Sequence, residues 1–266
     1  MNFRVIYSLV LRYLFLYSRT PMRLVELIFW PLVELLIWGN LTHYIQGKST
    51  SEFSHEIVFL VGAFILWDVI FRAQQGVAIS FLEDVWTRNL LNVFVAPVRT
   101  SEYVAATFLV GFIRICITMI ALCSVAFLLY HFSVFQMSWG LIPFFGNLLV
   151  TGWALGMIST ALILRWGQAA ESLAWAVPFF IQPITAVFYP VAKMEPHWTQ
   201  SLAWCLPSTY VFEGMREMLK DNVFNWTYFF SSAALNVLFM LVAGWIFVWM
   251  LGMTKKRGLL TKFATQ

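Results

Sequence analysis

The sequence predicts an all-α integral membrane protein, with six transmembrane helices in one membrane domain over residues 1–266. Hydrophobic residues make up 61% of the chain and charged residues 11%, whereas soluble domains are roughly a quarter charged. The 13 Trp, 9 Tyr and 26 Phe are typical of rings that collect where lipid meets water. The net charge of +4 is small and is not clustered as nucleic-acid binding requires.

The first element is predicted to be a helix over residues 2–19 that lies on the membrane surface. At about 100° per residue, its polar side chains fall within an arc of about 80°, and the remainder is mostly apolar. These polar residues are Arg4, Ser8, Arg12 and Arg19. Thr20-Pro21 then interrupts the helix. The alternative is an N-terminal extension of the first membrane span.

Six apolar runs are long enough to cross a hydrocarbon core of about 30 Å, which needs about 20 helical residues. They cover residues 23–44, 57–82, 103–130, 141–164, 172–192 and 228–252. In the fourth run, Gly152 and Gly156 permit close approach of another helix.

The distribution of Lys and Arg predicts the orientation. Eleven of the 17 lie on the side of the N-terminus, and only Lys48, Lys193, Arg216 and Lys220 lie opposite. Because positive charge is retained in the cytoplasm, both termini are predicted to be cytoplasmic, including the tail 253–266.

The cytoplasmic loop 83–102 mixes charged and apolar residues. Its main members are Glu83, Trp86, Arg88, Leu90, Leu91, Phe94 and Pro97. This pattern predicts a short amphipathic helix that ends at Pro97 and offers apolar side chains to a partner. The alternative is a helix that rests on lipid headgroups.

On the opposite side, prolines are concentrated before the last span. Five of the nine prolines fall between residues 178 and 207. The outer segment 178–220 is therefore predicted to contain broken helices that partly re-enter the membrane.

Charged residues within the spans are candidates for a transport pathway, because such charges are costly in lipid. Glu26 and Glu34 lie about 80° apart on one helix and should share a face. Asp68 and Arg72 are four residues apart and should pair; the pair can neutralise charge or contact a substrate. Arg114 has no local acid, so it should meet another helix, a cavity or one of the glutamates.

No catalytic, cofactor or metal site is predicted on this chain. Gly47-Lys48-Ser49 lacks the first glycine of a phosphate-binding loop, since Thr42 occupies that position. The four histidines are scattered without metal-ligand spacing, and the three cysteines form no paired motif.

The order of these parts resembles the membrane subunit of type 2 ABC exporters. The most specific likenesses are Arg88-Asn89-Leu90-Leu91 leading to Ala96-Pro97-Val98, and Leu206-Pro207-Ser208-Thr209-Tyr210 through Glu213 and Arg216. The resemblance implies an inner-membrane dimer, or a pair with a sibling subunit, with two separate cytoplasmic ATPases that hold ATP and Mg²⁺.

In this resemblance the loop 83–102 is the segment that couples to the ATPases. Shifting a two-state transporter from 1:99 to 99:1 takes about 5.5 kcal/mol, and one exposed ion pair supplies roughly 0–1 kcal/mol. Glu83 or Arg88 alone is therefore insufficient, and apolar docking of Trp86, Leu90, Leu91 and Phe94 is expected to contribute most.

The expected function is ATP-driven export of an amphipathic, lipid-linked or drug-like molecule from the cytoplasm or inner leaflet. A polysaccharide or glycolipid is the alternative substrate, because aromatic rings stack on sugars. A membrane assembly subunit without transport activity is the alternative of another class. An intramembrane enzyme would need His, Asp, Glu or Cys clustered at one depth, which the sequence does not indicate.

Overall fold

The computed structural model describes residues 1–46, 54–87, 89–130, 140–221 and 223–256, and within these ranges it contains helices and no strand. The α-helices are α1 Phe3–Arg19, α2 Pro21–Gln46, α3 Ser54–Trp86, α4 Leu90–Val95, α5 Thr100–Tyr130, α6 Leu141–Trp166, α7 Glu171–Ile181, α8 Trp198–Ala203, α9 Pro207–Asp221 and α10 Trp226–Lys256. Short 3-10 turns occupy Gly167–Ala170 and Val191–Lys193.

Five of these helices are long and apolar enough to cross a membrane: α2, α3, α5, α6 and α10. They contain the five predicted spans 23–44, 57–82, 103–130, 141–164 and 228–252. The all-helical membrane fold is therefore confirmed.

The remaining predicted span, 172–192, is only partly helical. Helix α7 has 11 residues and ends at Ile181, which gives it a length of about 17 Å, roughly half of a hydrocarbon core. The helix stops there because Pro183 has no N–H to donate and disfavours helical backbone at the residue before it. Turns follow over residues 182–189.

Helix α3 occupies the centre of the bundle. It packs against α6, α5, α2 and α7. In its most apolar stretch of 18 residues, 89% of the residues are buried, compared with 22% in the corresponding stretches of α2, α5 and α10. Helix α3 is therefore surrounded by protein, whereas the other three helices leave most of their surface open within one chain.

Glycines bring the neighbouring backbones unusually close to α3. A Cβ on Gly76 would lie 2.3 Å from the Cα of Gly111 on α5. On α6, a Cβ on Gly152 would lie 2.4 Å from the Cβ of Ala73, and one on Gly156 would lie 2.7 Å from the Cβ of Val77. The predicted close approach at Gly152 and Gly156 is confirmed, and α3 is the helix that they meet.

At the end of the bundle opposite α4, helix α9 lies alongside the start of α10. Ser232, in the second turn of α10, donates its hydroxyl to the carbonyl of Pro207 at 2.8 Å. Helix α9 therefore begins about 9 Å along α10 and runs back towards its first turn. The broken helices predicted before the last span are present as α8, α9 and the turns that precede them.

The glycine contacts generate a stability prediction. Gly152→Ala should lower the free energy of unfolding by about 1–3 kcal/mol, because the added methyl group overpacks the α3–α6 contact. Gly244→Ala is the matched control, since nothing lies within 4 Å of a Cβ at that position. Thermal unfolding of the two purified variants in detergent measures the difference; equal melting temperatures would contradict the close contact.

Candidate functional site

Helix α1 is a separate amphipathic helix packed on α5. The side chain of Asn2 caps it by accepting from the Arg4 N–H at 3.1 Å, and Thr20 separates it from α2. Its buried face includes Tyr13 and Tyr17 and packs against Ala106 and Val110 of α5. The predicted break between α1 and α2 is confirmed.

Polar side chains join α1 to the end of α3. We call Arg12, Tyr13, Tyr17, Arg23, Glu83, Asp84 and Tyr103 the α1–α3 polar cluster. The Asp84 carboxylate pairs with Arg12 and accepts from the hydroxyls of Tyr13 at 2.7 Å and Tyr103 at 3.0 Å. Asp84 is only 1% exposed, so these donors replace the hydrogen bonds to water that its carboxylate loses on burial.

Glu83 completes this cluster. Its Oε1 accepts from the hydroxyl of Tyr17 and from Nη1 of Arg23, each at 2.9 Å. Burial raises the pKa of the Tyr17 phenol, and that of Tyr13 well above its ordinary value, so both phenols keep the protons that they donate. Glu83 was expected on the surface that meets a partner; the structure instead places it inside, 1% exposed, where α1 and α2 hold it.

The short helix predicted in the loop 83–102 is α4, which ends at Val95, just before Ala96-Pro97. Its orientation differs from the prediction: Leu90 and Val93 are 1% and 5% exposed and pack with Val85 in the core. Leu90 therefore anchors the segment and does not face outward. Val95, at 78% exposed, is the outward apolar residue.

Other predicted residues of the coupling segment have different positions. Trp86 is partly exposed and donates from Nε1 to the Glu171 carboxylate of α7 at 3.3 Å. Pro97 is exposed. Arg88 and the side chains of Leu91 and Phe94 lie outside the described residues.

A cavity of about 140 Å³, which we call the arginine cavity, lies beside the C-terminal half of α3. It is lined by Tyr17, Arg23, Glu26, Leu27, Trp30, Arg72, Gln75, Ile79, Glu83, Trp86, Arg114 and Trp175. The guanidinium of Arg114 lies 5.0 Å from the Tyr17 ring. Arg114, for which the sequence predicted another helix or a cavity, thus shares this cavity with Glu26 and Glu83.

A second cavity of about 250 Å³, the aromatic cavity, lies beside the N-terminal half of α3. It is lined by Glu34, Trp38, Phe64, Trp67, Asp68, Phe71, Phe179, Gln182 and Phe188. Glu26 and Glu34, predicted to share a face of α2, therefore line two different cavities.

The predicted pair of Asp68 and Arg72 forms between these two cavities. Nε of Arg72 lies 3.1 Å from Oδ1 of Asp68, and both side chains are almost fully buried. Asp68 lines the aromatic cavity and Arg72 lines the arginine cavity. The ion pair therefore lies between two cavities that follow each other along one helix.

The predicted residues of the outer segment hold its turns in place. Glu213 and Arg216 pair at 2.9 Å; Glu213 also accepts from the Val191 N–H at 2.7 Å, and Arg216 donates to the carbonyls of Ala186 and Val187. Pro207 is buried at the start of α9, and the Tyr210 ring lies 5.0 Å from that of Trp204.

Sequence reasoning missed Tyr13, Tyr17, Asp84 and Tyr103. A signal was available on α1, since Tyr13 and Tyr17 are four residues apart on its apolar face, where hydroxyls need a partner. Among the described residues, no group of three or more His, Cys, Asp or Glu is placed to hold a metal ion.

Long apolar helices around a buried, charged helix, with two cavities that follow each other along it, are typical of a multi-pass membrane protein. The chain belongs to the ABC-2 type transporter family, whose model matches residues 4–220. It is a permease subunit, and membership of this family implies partnership with an ABC ATPase.

Relatives agree with this assignment. The chain is 29% identical over 189 residues to the inner membrane transport permease YadH of Escherichia coli K12, covering 68% of this chain and 69% of that protein. The YadH proteins of Escherichia coli O157:H7 and Shigella flexneri match with the same identity and coverage. The resemblance to the export family's membrane subunit is confirmed at the level of the family.

The α1–α3 polar cluster generates a second prediction. Tyr13→Phe should lower the free energy of unfolding by about 1.5–3 kcal/mol, because Asp84 loses a donor and remains buried. Tyr7→Phe is the matched control, since Tyr7 is on the same helix and 64% exposed. Thermal unfolding in detergent measures both variants, and limited proteolysis reports release of α1. Equal stability of the two variants would show that the cluster does not hold α1.

Proposed function

We propose that this chain is the permease of an ATP-driven exporter in the inner (plasma) membrane. Its substrate is an amphipathic, lipid-linked or drug-like molecule that leaves the cytoplasm or the inner leaflet. The observation that carries this proposal is the succession of two cavities along α3, divided by the Asp68–Arg72 pair. Alternating access requires a pathway that is closed at one point between its two ends, and the ion pair occupies such a point.

In this proposal, the partner subunit is an ATPase that binds ATP and Mg²⁺. Helix α4 is the element of this chain that the ATPase contacts and moves. Its outward face carries Asn92 and Val95, and its inward face carries Leu90 and Val93. Because the inward residues pack with Val85 of α3, a displacement of α4 moves the end of α3. The outward face of α4 binds the ATPase, and its inward face transmits the displacement to α3.

A second copy of the chain completes the path. The aromatic cavity lies where α2, α3 and α7 meet, and α2 leaves most of its apolar surface uncovered within one chain. On α7, Phe179 and Phe180 are 52% and 68% exposed. A homodimer that joins these faces encloses the pathway between two subunits.

The α4 end of the bundle is cytoplasmic in this proposal, as the Lys and Arg distribution indicates. Helix α1 then lies along the inner headgroups, with the exposed Arg4 and Arg19 towards anionic lipid, whereas Arg12 turns inward to Asp84. The aromatic and arginine cavities occupy the outer and inner halves of the membrane, respectively. The segment from Gln182 to Leu206 closes the outer end.

Export of a polysaccharide or glycolipid is the second candidate, because the six rings of the aromatic cavity could stack on sugars. Transport assays that compare a glycolipid with a drug-like amphiphile separate the two. A membrane assembly subunit without transport activity would bind no ATPase at α4. Co-purification of the ATPase therefore tests this alternative.

Docking at α4 is tested with Val95→Asp. A charge at this 78% exposed position should abolish co-purification of the ATPase, because docking would have to bury it. Val223→Asp is the matched control, since it makes the same change at a 63% exposed valine at the other end of the bundle. If both variants retain the ATPase, α4 is not the docking element. Leu90 is unsuitable for this test, because its replacement would disrupt the core.

Orientation is tested by labelling with a membrane-impermeant maleimide. In a background in which Cys116, Cys123 and Cys205 are replaced, Val95→Cys should react only after the membrane is permeabilised, and Val223→Cys should react in intact cells. The reverse pattern would place the coupling segment outside and overturn the proposed direction of transport.

A further inference from the structure

We infer that the aromatic cavity binds an organic cation, a protonated or quaternary amine attached to an apolar body. This inference rests on the proposed function, since it names the chemical class of the exported molecule. It depends on the rings, the charges and the unpaired oxygen that the cavity combines.

Six aromatic side chains line this space of about 250 Å³. Trp38 and Phe188 stack with ring centres 4.6 Å apart, and Phe71 and Phe179 lie 5.3 Å apart. The walls therefore come from α2, α3, α7 and the turn after α7. Aromatic faces attract a cation within about 6 Å of the ring centre, and desolvation strengthens that attraction.

The charges of the cavity have one sign. Among the described residues, its lining holds the carboxylates of Glu34 and Asp68 and no Lys, Arg or His. The one nearby guanidinium is that of Arg72, which bonds to Oδ1 of Asp68 and also attracts Glu34. The two carboxylates and one guanidinium leave one negative charge uncompensated.

The carboxylate of Asp68 is only partly satisfied by its neighbours. Its side chain is 3% exposed, and Oδ2 is buried without a hydrogen-bond partner. Such an oxygen is costly in a dry interior. A cation in the cavity would supply the missing interaction, whereas an anionic headgroup would be repelled by both carboxylates.

A sugar fits this cavity less well than a cation. Apart from the carboxylates, its lining offers the amide of Gln182 and the indole N–H groups of Trp38 and Trp67 as polar groups, too few for the many hydroxyls of a sugar. The volume lies below the roughly 300–1,000 Å³ of complete ligand pockets. It suits the cationic head of an amphiphile whose tail leaves along the exposed rings of Phe179 and Phe180.

Equilibrium dialysis of radiolabelled benzyltrimethylammonium against the purified full chain in detergent tests this inference. Glu34→Gln should raise the Kd about tenfold, equivalent to about 1.4 kcal/mol, since it removes the uncompensated charge. Glu26→Gln, the same change on the same helix in the arginine cavity, should leave the Kd within about twofold. An unchanged Kd in Glu34→Gln would overturn the inference.

A second measurement separates charge from apolar attraction. Neopentylbenzene, the neutral isostere of the probe, should fail to displace it at concentrations at which unlabelled benzyltrimethylammonium displaces it fully. Trp38→Leu should weaken binding several-fold, and Trp245→Leu, which alters a 67% exposed ring on α10, should not. Equal displacement by the neutral isostere would show that the cavity binds apolar rings without regard to charge.

The same preparations distinguish this inference from the proposed function. If the ATPase co-purifies and no cation binds, the inference fails and the exporter proposal stands. If the cation binds and no ATPase associates with any preparation, the exporter proposal fails and the cavity remains a cation site.

Discussion

The close contact of α3 with α5 and α6 is the constraint from which the other features follow. Gly76 and Gly111 bring the backbones of α3 and α5 together, and Gly152 and Gly156 bring α6 close to another face of α3. Lipid is thereby excluded from α3, so its charged residues meet only protein groups or cavities. A membrane helix with four buried charged residues, Asp68, Arg72, Glu83 and Asp84, is tolerable only in such a position.

These charges divide α3 into two mechanical parts. At its end, the buried carboxylates of Asp84 and Glu83 pair with Arg12 of α1 and Arg23 of α2, and leaving either carboxylate without its partner would be destabilising. The end of α3, α1 and α4 therefore behave as one body, because Leu90 and Val93 also pack there. Nearer the middle of α3, Arg72 lines the arginine cavity and Asp68 lines the aromatic cavity, so these side chains have room to rearrange. Force applied at α4 can thus reach the cavities through a rigid connection.

Much of this arrangement could be predicted from the sequence, and the failures share a physical reason. Five of the six predicted spans follow from apolar length, and the Asp68–Arg72 pair follows from a spacing of four residues on one helix. The bonds of Asp84 to Tyr13 and Tyr103 depend on how three helices are rotated about one another, which no local pattern contains. Helix α4 has six residues, too few for periodicity to identify its buried face.

The Asp68–Arg72 pair lies where a ligand and the ATPase stroke would act on the same bond. A cation bound as inferred above would compete with Arg72 for the Asp68 carboxylate and would weaken the ion pair between the two cavities. Coupling is reciprocal, so any local rearrangement that strengthens the bond between Arg72 and Asp68 would weaken binding of the cation by the same free energy. Coupling energies are typically about 1–3 kcal/mol, so a rearrangement of this one pair would lower the affinity about 5- to 150-fold.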